Sequence, residues 1–296
     1  MITLLGASGH TGHVAAESLL QDGLKVRIIA RDRGRVKRLA DLGAEVVLGE
    51  ADDAAFLTRA FRGSDAVYTL IPPDMTAVDY PARQDAFGEA AAKAIHDSGV
   101  RHVVLLSSIG AQHPTGTGPI AGLHRQERRL EKIAGLNAVF LRAAYFFENH
   151  LTTLGLIKHQ GINGSAIAGD VPLPMIAARD VGLAVAGLLK ARDFSGAAPR
   201  ELLGPRDLTM HEVTRIIGAA IGRPDLAYVQ FPYDAALEGM MAMGLPRTMA
   251  ELYVEMSKGV NEGRVRGAEP RGPRNTTPTR FEDFAETVLA PAYRAM

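Results

Sequence analysis

Three glycines at regular spacing hold the first candidate chemistry in this chain. Gly6-Ala7-Ser8-Gly9-His10-Thr11-Gly12 follows the apolar run Ile2 to Leu5 and opens a stretch, His13 to Gln21, with apolar residues at helical spacing. A strand, a glycine turn and a helix in that order suit a diphosphate. One glycine permits the tight turn, one lets the backbone approach the anion without a Cβ in the way, and one lets helix and strand pack closely. The first N–H groups of the helix and the positive end of its dipole then face the charge. Gly6, Ser8, Gly9, His10, Thr11 and Gly12 are therefore candidate contacts of a dinucleotide. A glycine-rich turn that binds nothing is the plainer alternative.

The second strand ends in Ala30-Arg31-Asp32-Arg33. The ribose of a bound dinucleotide meets this position: an acid there takes the 2′-hydroxyl of NAD, whereas an arginine pairs with the 2′-phosphate of NADP. Arg31 comes first, Arg33 and Arg35 add positive charge, and guanidinium forks match phosphate. NADP(H) is thus expected over NAD(H), with Asp32 as the argument for NAD. Asp52 and Asp53 follow the third strand, where either could meet the adenine edge or simply cap a helix.

The elements that must position these residues alternate. Strands are expected at Ile2–Leu5, Lys25–Ala30, Glu45–Leu48, Ala66–Ile71, His102–Leu106 and Ala138–Leu141, separated by helical segments at His13–Gln21, Gly34–Leu42, up to Phe61, Ala82–Asp97 and about Gly122–Ala134. Such a rhythm implies an α/β fold, a doubly wound parallel sheet of Rossmann type. The pattern loosens after Asn149. Asp180 is read as an N-cap for Val181–Leu189, Thr209 to Glu212 as a capping box, and Tyr233–Met243 and Arg247–Lys258 as further helices. Arg264 to Arg280 reads as a surface segment, its arginines either solvated or able to bind an anion or partner. The expected division is a dinucleotide domain over 1–150, with 176–200 returning to it. A smaller C-terminal substrate lobe would be built from 151–175 and 201–296.

Composition bounds the rest. The 296 residues carry 33 Lys plus Arg against 33 Asp plus Glu, which argues against direct nucleic-acid contact. There is no cysteine, hence no disulfide and no thiolate chemistry. No apolar run reaches the ~20 residues of a membrane span, and no leader pattern is visible, so a cytoplasmic location is expected. The histidines form no H-E-x-x-H or similar cluster, and no metal is expected.

Gly6 to Gly12, Arg31, Gly49-Glu50-Ala51-Asp52-Asp53 and Ser107-Ser108-Ile109-Gly110 together resemble the NmrA-like family of atypical short-chain dehydrogenase/reductases. Leu141-Arg142-Ala143-Ala144-Tyr145-Phe146-Phe147-Glu148-Asn149 is similar to that family's pattern after its sixth strand, as are His124 and Glu127 before it and Thr277 to Phe284 near the end. The resemblance covers nearly the whole chain. It implies an NAD(P) domain with a small lobe, and further cofactor contacts from Ile71-Pro72-Pro73, from Ser107-Ser108 and around Tyr145. It leaves function divided: some members are reductases of quinones, azo compounds or other small acceptors, and others are NADP-binding regulators.

A typical short-chain reductase carries Tyr-x-x-x-Lys on the helix after the fifth strand. Here Pro119 to Glu127 contains neither residue. Quinone or azo reduction tolerates that loss, because the cofactor supplies the hydride and solvent can supply the proton. Ser108, His124 and Tyr145 are the candidates for orienting the acceptor and donating a proton, with His113 as a further donor. Core packing or capping is the alternative for each. Two readings follow: an NAD(P)H-dependent oxidoreductase for a small planar acceptor, or a non-catalytic NADP(H) sensor acting through protein partners. An apolar cavity lined by Tyr145 and the methionines between Met240 and Met256 would favour the first. Those methionine-bearing helices are otherwise a partner or homodimer surface, or plain lobe core.

Overall fold

The computed structural model describes residues 1–296. The first half runs β1 (Ile2–Leu5), α1 (His10–Gln21), β2 (Val26–Ala30), α2 (Lys37–Asp41), β3 (Glu45–Leu48), α3 (Ala54–Phe61), β4 (Ala66–Thr69), α4 (Tyr80–Ser98), β5 (His102–Ser108), α5 (Ile120–Glu131) and β6 (Asn137–Ala143). The second half runs β7 (Tyr145–Phe146), α6 (Leu154–Gln160), β8 (Ile162–Ser165), β9 (Leu173–Ile176), α7 (Ala178–Ala191), β10 (Ala197–Leu202), β11 (Asp207–Leu208) and α8 (Met210–Ala220). It ends with β12 (Ala227–Gln230), α9 (Tyr233–Ala242), α10 (Arg247–Asn261), α11 (Phe281–Phe284) and α12 (Ala290–Ala295).

Seven parallel strands form the central sheet in the order β10-β6-β5-β4-β1-β2-β3. This is the doubly wound, Rossmann-type arrangement. Strand order reverses between β1 and β4, which opens a crevice at their carboxyl ends. Neighbouring residues on a strand face opposite sides, and the core divides accordingly. Leu4, Ile28, Tyr68, Val104 and Leu141 pack on the α1 and α7 side. Leu5, Ile29, Val67, Leu105 and Phe140 pack on the other, against α3, α4 and α5. Helix α7 lies so close to α1 that a Cβ on Gly182 would sit 2.6 Å from the Thr11 carbonyl oxygen. The remaining strands make two small sheets, β11-β9-β7 and β12-β8.

Local departures from the sequence reading have local causes. Gly34 to Leu42 is not one helix. Asp32 Oδ1 accepts the Gly34 amide at 2.7 Å, and a 3-10 turn at Gly34–Val36 precedes the short α2. Asp180 is not an N-cap. Helix α7 starts earlier, its Ala178 amide donating to Glu148, while Asp180 sits in the first turn and accepts from the amide and hydroxyl of Thr279. The capping box at Thr209 and Glu212 is present in full. No helix is long and apolar enough to cross a membrane.

A buried polar ladder crosses three strands on the α5 side. Ser107, Arg142 and Glu201 are in register on β5, β6 and β10. Glu127 descends onto it from α5, fully buried, and accepts from Arg142 Nε at 3.0 Å, Arg142 Nη2 at 2.6 Å and the Ser107 hydroxyl at 2.6 Å. Glu201 accepts amides of Ala268 and Glu269 at 2.8–3.0 Å. The segment around 264–271 lies on the surface, as expected, and is pinned there to the sheet edge. Removing one partner of a buried pair strands the other charge, at a cost of about 3–5 kcal/mol. Glu127→Gln should lower stability by about that amount in urea unfolding, and Ser107→Ala by only about 1 kcal/mol.

His150 shows the opposite case, a buried titratable group without partners. Its Nε2 has no hydrogen bond, and its ring packs against Phe281 at 5.3 Å and Tyr145 at 5.6 Å. Burial pushes its pKa down from 6.5 to about 4. The unfolded chain then holds the extra proton between these values, so stability falls as pH drops from about 6.5 to about 4, by roughly 3 kcal/mol in total. His150→Phe should remove this dependence. The urea midpoint of the variant should gain on the parent between pH 7.5 and pH 5, and a pH-independent difference would reject this account.

Candidate cofactor and substrate site

The crevice between β1 and β4 is built around the glycine loop. Gly6 adopts φ +88°, and a Cβ on Gly12 would lie 2.4 Å from the Gly6 carbonyl oxygen. Helix α1 begins with Gly9 as its N-cap, with no side-chain cap and no acidic residue in its first turn. The amides of His10, Thr11 and Gly12 have no acceptor within the protein. Ser8, Gly9 and His10 are exposed. Thr11 is buried, and its hydroxyl shares a 2.9 Å hydrogen bond with the Tyr68 hydroxyl. Its amide, not its side chain, is thus what the crevice receives. Tyr68, in an apolar strand, carried no signal that would mark it as the support of this loop.

Arg31 directly follows β2, exposed and without an ion pair, as are Arg33 and Arg35. Asp32 spends one carboxylate oxygen on its own turn, at the Gly34 amide. Asp53, not Asp52, caps α3, through Phe56 N at 2.9 Å. Asp52 pairs with Arg83 of α4, which also bonds Asp74 at 3.1 Å and lies over the Phe87 ring at 4.1 Å. Asp52 thereby ties the β3–α3 turn to the segment after β4. Arg83 was not singled out in the sequence, because nothing there brings positions 52, 74 and 83 together. Ile71 is buried and Pro72 half-buried, next to Leu70, whose side chain packs 2.7 Å from where a Gly6 Cβ would stand.

The β5 end separates its two serines. Ser107 points to the α5 side, its hydroxyl committed to Glu127. Ser108 points to the α1 side, half-buried, donating to the Ile109 carbonyl at 2.9 Å. His124 on α5 is half-buried with Nδ1 2.8 Å from the Ala111 carbonyl. A carbonyl only accepts, so Nδ1 carries the proton and Nε2 is left without a partner. Tyr145 is half-buried just past β6, and burial pushes its phenol up to about 12, with Tyr228 and Tyr253 nearby adding to the shift. Phe147 of the same run is core, edge-on to Phe281 at 5.1 Å. Glu148, half-buried, is held above the usual carboxylate range by burial, and feels His10 and Asp180 as opposing charges.

Two cavities, of about 500 and 460 Å³, flank the segment 263–271. Neither of these two is lined by Tyr145 or by a methionine. Met249 is buried core, Met256 packs against the core, and Met243 is exposed. No group of three or more His, Asp or Glu side chains is placed to hold a metal ion.

The model of the NmrA-like family matches residues 1–285. The chain is 31% identical over 270 residues to a (4-alkanoyl-5-oxo-2,5-dihydrofuran-3-yl)methyl phosphate reductase of Streptomyces griseus, covering 91% of this chain and 90% of that one. It is 26% identical to quinone oxidoreductase 2 of Escherichia coli, covering 89% of both. The crystal structure of an NADPH-dependent quinone oxidoreductase from Escherichia coli, complexed with NADPH, superposes with a TM-score of 0.80 at 20% identity, covering 100% of this chain and 99% of the other. With a family match over almost its whole length and a Rossmann-type sheet beneath it, the chain belongs to the NmrA-like family.

Proposed function

We propose that this protein is an NADPH-dependent oxidoreductase acting on a small, planar, conjugated acceptor of the quinone type. One observation carries the reading: an uncapped, acid-free helix start above the parallel sheet, with three idle amides and a free arginine at the next strand's tip. These residues fit a nicotinamide dinucleotide phosphate. The amides of His10, Thr11 and Gly12 would take the diphosphate, and Arg31 the 2′-phosphate. Ile71 and Pro72 would line the crevice wall after β4, and Asp52 would brace it through Arg83. Bound NADPH supplies the hydride.

The chain's own residues then orient the acceptor and manage one proton. His124 is fixed through Nδ1, so its Nε2, once protonated, can donate to an acceptor oxygen as negative charge develops there. Tyr145 stays a neutral phenol at any working pH, given its high pKa, and serves as a hydrogen-bond donor rather than an acid. Ser108, half-buried at the end of β5, would be the third polar group for the acceptor. The relatives named above act on quinones or on the methyl phosphate of an acylated, unsaturated lactone, by their names. In both, conjugation spreads the incoming charge, which suits a site without Tyr-x-x-x-Lys.

NADPH oxidation with a panel of quinones, azo dyes and acyl lactones tests this. Tight NADPH binding with no turnover of any acceptor would replace the enzyme by an NADP(H) sensor. Arg31→Ala should weaken NADPH roughly 10- to 100-fold, the worth of a charge-assisted contact, while leaving NADH nearly unchanged; equal losses would refute the assignment. Tyr145→Phe should raise KM more than it lowers kcat, since the phenol orients rather than protonates.

A further inference from the structure

The larger cavity, about 500 Å³, is basic and lies beside the candidate proton donor. Gln112 and His113 form one wall, and Arg264, Arg266 and Gly267 the other, with no carboxylate in the lining. Arg266 is exposed and makes no ion pair, and Arg264 uses only Nε on Glu262, at 3.0 Å. The amides of Gln112, Arg266 and Gly267 have no acceptor within the protein. Gln112 Oε1 is buried there without a partner; turning the amide over would present its NH2 as a further donor.

Two carboxylates close to the cavity are occupied. Glu262 holds Arg264, and Glu201 lies under Gly267, saturated by the amides of Ala268 and Glu269. Two guanidiniums, a histidine and unpaired amides around one hollow form the donor set of a phosphate monoester, with bidentate forks and backbone N–H groups together. A solvated loop would not need the anchoring that Glu201 provides.

The position of the cavity indicates what carries the phosphate. Gln112, in the cavity wall, directly follows Ala111, whose carbonyl lies 2.8 Å from His124 Nδ1, so one short turn joins the cavity to the residue that fixes the candidate donor. Gly110 packs on Val265, joining the two walls at their base. We propose that this cavity seats the phosphate of a phosphomonoester acceptor, with the reducible carbonyl end of the same molecule lying toward His124. The phosphate is a handle and is not cleaved. It is separate from the diphosphate crevice at α1, which is built by other residues. The identity of the reducible end rests on the oxidoreductase reading above; the anion site does not.

Calorimetry with inorganic phosphate, on protein saturated with NADP⁺ so that the cofactor's own phosphates are already seated, reads the site directly. Phosphate should bind, Arg266→Ala should weaken it at least about tenfold, and Arg266→Lys should fall between. Absence of binding to the parent, or undiminished binding to Arg266→Ala, overturns the proposal. Arg266 is exposed, and an unchanged thermal midpoint would exclude unfolding as the cause. In turnover, a phosphorylated acyl lactone should be preferred over its free alcohol at least about tenfold in kcat/KM, and Arg266→Ala should collapse that preference. Equal use of both by the parent refutes the handle. A parent that reduces neither, yet binds phosphate through Arg266, refutes the oxidoreductase reading and keeps the anion site.

Discussion

A helix that begins without a cap leaves its first amides seeking an acceptor. Helix α1 does so in a place where nothing in the chain can answer: no acidic residue stands in its first turn, and Gly9 offers no side chain. The missing acceptor is the constraint around which the molecule is arranged. Gly12 brings the helix down onto Gly6, Leu70 fills the space beside that turn, and Tyr68 holds Thr11 from below. From the other side α7 closes onto α1 through Gly182. Each contact steadies the helix start without supplying it a partner. On the proposed function an anion would complete it, and the sheet's change of winding direction leaves a crevice at this point.

The buried ladder of Glu127, Arg142, Ser107 and Glu201 does comparable work on the opposite face. A buried ion pair is weak evidence for stability, so its value lies in what it fixes. It sets α5 against β5 and β6, and hence His124 one turn before Glu127. Through Glu201 it also sets the 264–271 segment at the sheet edge. Two elements far apart in sequence thereby share one rigid base. The loop that begins as an arginine-rich run becomes the wall of a defined hollow.

The strands, the winding and the first turn were legible because each rests on local pattern: period-2 and period-3.6 spacing, glycines at loop positions, and an arginine at a strand tip. The shortcomings are equally physical. Asp180 has the residue type and place of an N-cap, but Thr279, 99 residues away, claims it. Ser107 and Ser108 look equivalent in sequence, and only the pleat sends one hydroxyl to Glu127 and leaves the other at the rim. Asp52 reads as an adenine contact or a cap until Arg83 arrives from another element. The 263–271 cavity depends on Glu201, an isolated acid in an edge strand whose partners are backbone amides. Such partners leave no mark in residue type, so no reading of side chains alone could find them.

The missing Tyr-x-x-x-Lys fits this geometry. A carbonyl reduced to an isolated alkoxide needs a strong acid close by, because its charge has nowhere to go. An acceptor in which hydride reaches one end of a conjugated system carries its charge to an oxygen at the other, where a weaker donor suffices. Under the proposed function that donor is His124, which α5 carries and the Ala111 carbonyl fixes through Nδ1. On that proposal, with Tyr145 too weak an acid to compete, the position of a single imidazole, set by Glu127 one turn later, would govern how an acceptor must lie to be protonated.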